Sequence, residues 1–134
     1  MQLALILGAV FFGGLIYLLG RERLMANERM NAETLWAAIN VYVLIGMLFA
    51  FVYMLLEQLV PGPFKGGFSA HRRGQLFVYF SFVTMPTLGY GDVTPDTQIA
   101  ATLAFVQALI GQLYVAILIA RLVSMYSVND DHQK

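Results

Sequence analysis

The chain has 134 residues, of which 59% are hydrophobic and only 12% are charged, with a mean hydropathy of +0.69. This composition is typical of a membrane protein rather than a cytosolic one. Eight Lys and Arg residues balance eight Asp and Glu residues, so no positive surplus favours nucleic acid as a partner. The absence of cysteine excludes thiolate metal sites and cysteine nucleophiles.

The N-terminal segment, residues 1–20, is predicted to be a transmembrane helix, because residues 2–20 carry no charge and are long enough to span a bilayer. The competing interpretation is a secretory signal peptide, which begins with basic residues and ends at a cleavage site of small residues. Here the start is uncharged, and Arg21 and Arg23 stand where small residues should be. We therefore interpret the segment as a retained helix.

The next three segments alternate in polarity. Residues 21–34 carry charges of both signs at helical spacing and are predicted to form an interfacial linker, which the pore topology implied by the resemblance below places in the cytoplasm. Residues 34–56 are uncharged and long enough to span with some tilt, which predicts a second transmembrane helix over residues 35–57. Residues 58–74 are dense in proline and glycine, which indicates a loop.

A shorter apolar run and a glycine-containing loop follow. Residues 75–84 are too few to cross a bilayer and are predicted to form a re-entrant helix. The sequence Thr-Leu-Gly-Tyr-Gly-Asp then occupies residues 87–92, and its glycines tolerate backbone conformations closed to other residues. Non-helical backbone at membrane depth is tolerated only where it is buried in protein or lines a cavity. The pattern therefore predicts the lining of a pore.

Two other interpretations of the glycines exist. They could form an ordinary turn between two helices. They could also form a phosphate-binding loop, but no strand precedes them and no Lys follows them, so that interpretation fits poorly.

The motif resembles the selectivity filter of the potassium channel pore family, Thr-x-Gly-Tyr-Gly usually followed by Asp, with Leu88 at the variable position. The resemblance extends over residues 35–126 and implies an all-α membrane protein that is not an enzyme. The implied segments are an outer helix 35–57, an extracellular turret 58–74, a pore helix 75–86, a filter 87–92, an inner helix 97–126 and a cytoplasmic tail 127–134. The helix of residues 1–20 is an addition to this pattern.

The resemblance also implies a site and an assembly. In that family four loops meet in a homotetramer, and their carbonyl oxygens replace the hydration shell of K⁺. The corresponding K⁺ ligands here are the backbone carbonyls of Thr87, Leu88, Gly89 and Tyr90. The residues expected to support the filter are Gly91, Asp92, Tyr79 and Pro86.

Two positions just before the filter depart from the commonest pattern of the family. Pro86 stands where a hydroxyl residue is usual, and it lacks the N–H that would bond the Phe82 carbonyl. Val83 stands where some relatives have a buried carboxylate behind the filter. Asp92 is then left with the Tyr79 hydroxyl as its expected partner.

The last uncharged stretch resembles the inner helix that lines the cavity below the filter. Gly111 lies about where the family places a hinge glycine, although glycine is also common in membrane helices for close packing. Helical spacing and the resemblance direct Gln112, Val115 and Ile119 toward the conduction path, so these residues and Gly111 are predicted to form the cavity and gate. Gln107 is expected to bond the back of the pore helix.

The sequence thus predicts a K⁺-selective channel that conducts K⁺ passively, with K⁺, membrane lipids and further copies of the chain as partners. The pore topology places five Lys and Arg residues inside and three outside, in weak agreement with the positive-inside rule. We expect a multi-pass protein of the cell (plasma) membrane. The alternatives are a weakly selective cation channel, if Pro86 loosens the filter, and a non-conducting membrane subunit that uses the pore fold as an assembly scaffold.

Overall fold

The computed structural model describes residues 2–19, 32–66 and 73–130. These residues form four helices and two short strands. In chain order they are α1 (Gln2–Leu19), α2 (Ala32–Leu59), β1 (Phe64–Gly66), α3 (Arg73–Thr84), β2 (Val93–Pro95) and α4 (Gln98–Asp130). The predicted helical membrane fold is confirmed, with the addition of a two-stranded antiparallel sheet.

Three of these helices are long and apolar enough to cross a membrane, over Gln2–Leu19, Thr34–Leu59 and Gln98–Val123. Helix α3 has only 12 residues. At about 1.5 Å per residue it extends roughly 18 Å, well short of the ~30 Å hydrocarbon core of a bilayer. It therefore enters between the spanning helices without crossing.

Several predicted boundaries differ from the observed ones. The pore helix, predicted to run over residues 75–86, ends at Thr84. The reason is Pro86, which disfavours helical geometry at Met85 and cannot donate a backbone hydrogen bond. The loop predicted for residues 58–74 contains the strand β1, which pairs with β2.

The two predicted cytoplasmic segments, the tail and the linker, also differ from the observed structure. Helix α4 continues to Asp130, beyond the predicted end at residue 126, because no proline or glycine interrupts residues 127–130. The tail predicted for residues 127–134 is therefore helical in its first half, and residues 131–134 lie outside the described ranges. Most of the predicted linker 21–34 also lies outside them, and its last three residues belong to α2.

The main core lies between α2, α3 and the small sheet. The buried side chains are Tyr53, Phe77, Phe80 and Val93. The ring of Phe64 on β1 lies 5.2 to 5.4 Å from the rings of Tyr53, Phe77 and Phe80, in edge-to-face arrangements. Aromatic pairs with this geometry stabilise a core beyond the area they bury. The sheet is thereby held against the helices rather than projecting from them.

Helix α1 packs along α2 and buries none of its own residues. The contact includes Phe12, whose ring stacks on that of Phe51 at 5.3 Å between centroids. It also includes Gly8, where an added Cβ would lie 2.9 Å from the Phe51 ring. Most of the large apolar side chains of α1 are exposed on the single chain, as expected for a helix that faces lipid.

A second cluster lies at the end of α3 and contains Val41, Ile45 and the fully buried Met85. Helix α4 approaches this cluster closely at Gly111. A Cβ built on Gly111 would collide with the Met85 carbonyl oxygen and lie 2.7 Å from the Met85 Cγ. The backbone of α4 can touch the turn after α3 only because Gly111 has no side chain.

This contact predicts that Gly111→Ala is destabilising, because the collision is with backbone that cannot rotate away. Overpacking of this kind costs about 1–3 kcal/mol of unfolding free energy. The matched control is Gly13→Ala in α1, where nothing lies within 4 Å of an added Cβ. Thermal unfolding of both variants in the same detergent measures the difference. Equal melting temperatures for the two variants would show that the close contact at Gly111 does not limit the stability of the fold.

Candidate ion-conducting site

The inner end of the loop after α3 is fixed by hydrogen bonds to the last turn of that helix. The Leu88 and Gly89 N–H groups both donate to the Val83 carbonyl, at 3.0 and 3.2 Å, and the Thr87 N–H donates to the Thr84 carbonyl at 2.9 Å. These bonds satisfy carbonyls that a helix C-terminus otherwise leaves without partners. The loop therefore starts from a defined point.

The backbone of the loop alternates in the sign of φ. Thr87, Gly89 and Gly91 have φ angles of +61°, +51° and +79°. Leu88 and Tyr90 between them do not have positive φ. Glycine adopts positive φ at little cost, whereas a β-branched residue such as Thr87 does so only at a cost of about 1–3 kcal/mol. The surrounding structure therefore imposes the conformation at Thr87.

The outer end of the loop is tied to α3 through Asp92. Its Oδ2 accepts a hydrogen bond from the Tyr79 hydroxyl at 2.8 Å, as the sequence led us to expect, and its Oδ1 accepts one from the Val93 N–H at 3.0 Å. The hydrogen bond to the carboxylate raises the pKa of Tyr79 above its ordinary value. The Tyr79 ring also stacks on that of Tyr90, with 6.5 Å between centroids and an angle of 4°.

The strand β2 begins directly after Asp92 and is fixed by β1. The two strands pair from Phe64 opposite Pro95 to Gly66 opposite Val93. The Asp96 N–H donates to the Pro63 carbonyl at 2.8 Å, and the Asp96 carboxylate lies 2.6 Å from the Lys65 ammonium. An exposed ion pair contributes only about 0–1 kcal/mol, so the backbone bonds and the burial of Val93 carry most of this attachment.

Pro86 has the local effect expected from the sequence. The hydrogen bonds at the end of α3 go to the carbonyls of Ser81, Val83 and Thr84. In the part of the chain that the structure describes, none goes to the carbonyl of Phe82. The missing N–H of Pro86 explains why this carbonyl has no helical donor.

The loop offers oxygen ligands from the backbone. Within the described ranges, no hydrogen bond is accepted by the carbonyls of Thr87, Leu88, Gly89 and Tyr90. Among the same residues there is also no cluster of three or more His, Cys, Asp or Glu side chains that could hold a metal ion. Backbone carbonyls suit cations that bind through oxygen and exchange rapidly with water, as in ion-selective pores.

Helix α4 presents the predicted cavity residues on one face. Gln112, Val115 and Ile119 are spaced at helical intervals, and all three are exposed on the single chain. Gly111 beside them is packed against Met85. The structure therefore gives Gly111 a contact with the base of the loop, in addition to its predicted position in the cavity wall.

Gln107 is fully buried and contacts the back of α3, as expected. Its Nε2 lies 3.0 Å from the Ser81 carbonyl oxygen and 2.6 Å from the Ser81 hydroxyl. Two of its neighbours, Tyr53 and Ser81, were not predicted from the sequence. The available signal was the presence of a few polar groups in two largely apolar runs, which does not reveal what each group contacts.

Comparison with known proteins gives the family. The profile of a family described as ion channel matches residues 41–128. The chain is 32% identical over 123 residues to Protein LctB of Bacillus caldotenax, which covers 88% of this chain and 90% of that protein. No solved structure matches the chain significantly.

Two further relatives are named as potassium channels. The chain is 31% identical over 114 residues to Two-pore potassium channel 4 of Arabidopsis thaliana, covering 80% of this chain and 40% of that protein. It is 33% identical over 82 residues to Inward rectifier potassium channel Kirbac3.1 of Paramagnetospirillum magnetotacticum, covering 58% and 24%. The chain belongs to the ion channel family whose members share the potassium channel pore domain, two spanning helices around a re-entrant loop, and it carries one further apolar helix in front of that domain.

Proposed function

We propose that this protein is a potassium-selective channel of the plasma membrane, in which four copies surround a central axis and conduct K⁺ passively down its electrochemical gradient. One observation carries the proposal. The loop of residues 87–92 follows a re-entrant helix, is tied down at both ends, and leaves four successive carbonyls without hydrogen bonds inside the described chain. No chemical reaction is involved, and the protein acts as a channel rather than an enzyme.

The number of copies follows from the coordination that a dehydrated cation needs. K⁺ must exchange its water shell for oxygens on all sides, and one loop supplies oxygens on one side only. A ring of four loops supplies stacked sites from the carbonyls of Thr87, Leu88, Gly89 and Tyr90, with the Thr87 hydroxyl at the inner end. Alternating φ along these residues allows successive carbonyls to face the same side, unlike a strand in which they alternate.

The remaining parts of the site support this ring. Asp92 and Tyr79 fix its outer end, Gly91 supplies positive φ there, and Pro86 ends α3 just before it. The C-terminal end of α3 carries the partial negative charge of the helix dipole, which favours a cation near the base of the loop. In the assembled channel, Gln112, Val115 and Ile119 line the cavity, and Gly111 connects its wall to Met85.

The relatives support K⁺ as the permeant ion. Two-pore potassium channel 4 and Kirbac3.1 are both named as potassium channels. The chain matches the first over 114 residues and the second over 82 residues. The filter motif at residues 87–92 also has the sequence by which the potassium channel family is recognised. The motif lies in the region predicted to line the pore, which is where selectivity for an ion resides.

A weakly selective cation channel is the second candidate, and Pro86 favours it. Proline replaces the usual hydroxyl residue before Thr87, and within the described ranges the Phe82 carbonyl has no backbone donor. Both changes affect the innermost part of the site. The third candidate is a non-conducting assembly subunit, which the flux measurement below would identify by the absence of any ion flux.

We predict that the purified protein in lipid vesicles passes K⁺ and excludes Na⁺. The measurement is dye-reported flux driven by a K⁺ gradient, with Na⁺ replacing K⁺ in parallel vesicles and empty vesicles as the control. Flux in K⁺ alone supports the proposal. Equal flux in both ions supports the weakly selective channel, and no flux in either supports the scaffold.

Gly91→Ala is predicted to abolish selective conduction, because φ is +79° at this position and a Cβ opposes that conformation. A matched control is Gly74→Ala near the start of α3, where φ is not positive and an added Cβ meets nothing within 4 Å. The control is expected to retain its K⁺ flux. If the Gly91→Ala channel selects K⁺ over Na⁺ as well as the control does, residues 87–92 do not form the filter.

Tyr79→Phe is predicted to shorten the open bursts of single channels, because it removes the hydrogen bond to Asp92 at the outer end of the loop. The bond is exposed, so water competes for it and its contribution is smaller than that of a buried hydrogen bond to a charged group. Tyr17→Phe makes the same chemical change on the exposed face of α1, away from the Tyr79–Asp92 pair in the chain. Burst durations that are equal in the two variants would exclude a role for the Tyr79–Asp92 pair.

A further inference from the structure

A buried chain of hydrogen bonds connects the three helices that surround the base of the loop. The Tyr53 hydroxyl on α2 lies 2.6 Å from the Gln107 Oε1 on α4. The Gln107 Nε2 lies within hydrogen-bond distance of both the Ser81 carbonyl and the Ser81 hydroxyl on α3. The Ser81 hydroxyl is in turn 2.6 Å from the Gly46 carbonyl on α2. Tyr53, Ser81 and Gln107 are all completely buried.

Only one arrangement of protons satisfies this network. The carbonyls of Ser81 and Gly46 can only accept hydrogen bonds. The amide nitrogen of Gln107 must therefore face Ser81, which leaves its Oε1 to accept from Tyr53. The Ser81 hydroxyl accepts from Gln107 and donates to Gly46. Both amide hydrogens of Gln107 are used, so the side chain has one well-defined orientation, and such networks are rigid when fully satisfied.

The network bonds the last turn of α3, where Pro86 removes one of the helical hydrogen bonds. The Ser81 carbonyl also accepts a bond from the Met85 N–H at 2.9 Å. Among the residues that the structure describes, none donates to the neighbouring Phe82 carbonyl, because Pro86 has no N–H. Gln107 thus adds a side-chain donor from α4 to the last turn of α3, beside the position where the helical ladder stops. Two residues further along, the Val83 carbonyl holds Leu88 and Gly89.

We propose that Gln107 is the positioning residue for the last turn of α3, and that selectivity for K⁺ over Na⁺ depends on its hydrogen bonds to Ser81. The inference rests on the proposed channel function and assigns part of it to a residue that touches neither the ion nor the loop. Its amide fixes the Ser81 turn against α4, this turn fixes the Val83 carbonyl, and that carbonyl fixes where the filter begins. Tyr53 contributes by orienting the amide.

The main variant is Gln107→Met, which has similar length and shape but cannot hydrogen-bond Ser81. Its K⁺-to-Na⁺ permeability ratio, from reversal potentials in planar bilayers, is expected to fall at least about fivefold, the scale of one net hydrogen bond. Tyr53→Phe removes only the bond that orients the amide, so a smaller fall in the same ratio is expected. This second variant also carries the test if Gln107→Met does not assemble.

Tyr114→Phe is the matched control. The Tyr114 hydroxyl donates to the Ala38 carbonyl at 2.7 Å, and this bond joins α4 to α2 without involving α3. The Tyr114→Phe variant loses the same chemical group as Tyr53→Phe, and the bond that it loses also joins α2 to α4. We expect its permeability ratio to equal that of the unmodified protein.

A double variant that carries both Tyr53→Phe and Gln107→Met tests whether Tyr53 acts through Gln107. If it does, the Tyr53→Phe change adds nothing to the effect of Gln107→Met on the permeability ratio, a non-additivity typical of residues in one network. Effects of the two changes that add in full would contradict the assigned role of Tyr53.

Three results would overturn the inference. The first is an assembled Gln107→Met channel with an unchanged ratio. The second is a Tyr114→Phe channel whose ratio falls as far as that of Tyr53→Phe, which would indicate a general effect of helix packing. The third is an unmodified protein that passes no cations, or passes K⁺ and Na⁺ equally. This last result removes the proposed function as well, so it is distinguishable from the first two.

Discussion

Polar backbone groups inside a bilayer need partners within the protein, and in this chain the loop of residues 85–92 is where that requirement is hardest to meet. A spanning helix satisfies its own backbone, but this loop leaves helical geometry between two spanning helices. Its N–H groups at the inner end bond the last turn of α3, and its outer end passes into the paired strand β2. The carbonyls of residues 87–90, between these two attachments, accept no hydrogen bond in the described chain. Cations held between these carbonyls and those of neighbouring loops would satisfy them.

The rest of the fold can be understood as the support for this loop. The aromatic cluster around Phe64 and Tyr53 holds the small sheet and the middle of α3, and so fixes the outer end. Gly111 and Gln107 bring α4 against the inner end, one by allowing close backbone contact and the other by hydrogen bonding. Helix α1 packs on α2, and its residues Ile16 and Leu19 pack against the cluster of Val41, Ile45 and Met85 next to the inner end of the loop.

The sequence predicted those features that depend on local chemistry. Uncharged stretches located the spanning helices, the filter motif located the loop, and the effect of Pro86 on the end of α3 follows from the proline ring alone. It did not predict the β1–β2 pairing, because strands of three residues have no measurable periodicity. It did not predict the contacts of Tyr53 and Ser81 either. A single polar group in an apolar helix requires a partner, but which helix supplies that partner depends on how the helices pack, and that is not a local property.

The claim that the loop carbonyls coordinate ions on a fourfold axis can be tested without measuring transport. The measurement is anomalous diffraction from crystals of the assembled protein grown in Rb⁺, which replaces K⁺ at carbonyl sites and scatters anomalously. We predict a row of peaks on the axis, each between rings of oxygens from Thr87, Leu88, Gly89 and Tyr90, and no such peaks in crystals grown in Na⁺. A tetramer without axial Rb⁺ peaks, or an assembly in which residues 87–92 face away from the axis, would contradict the account.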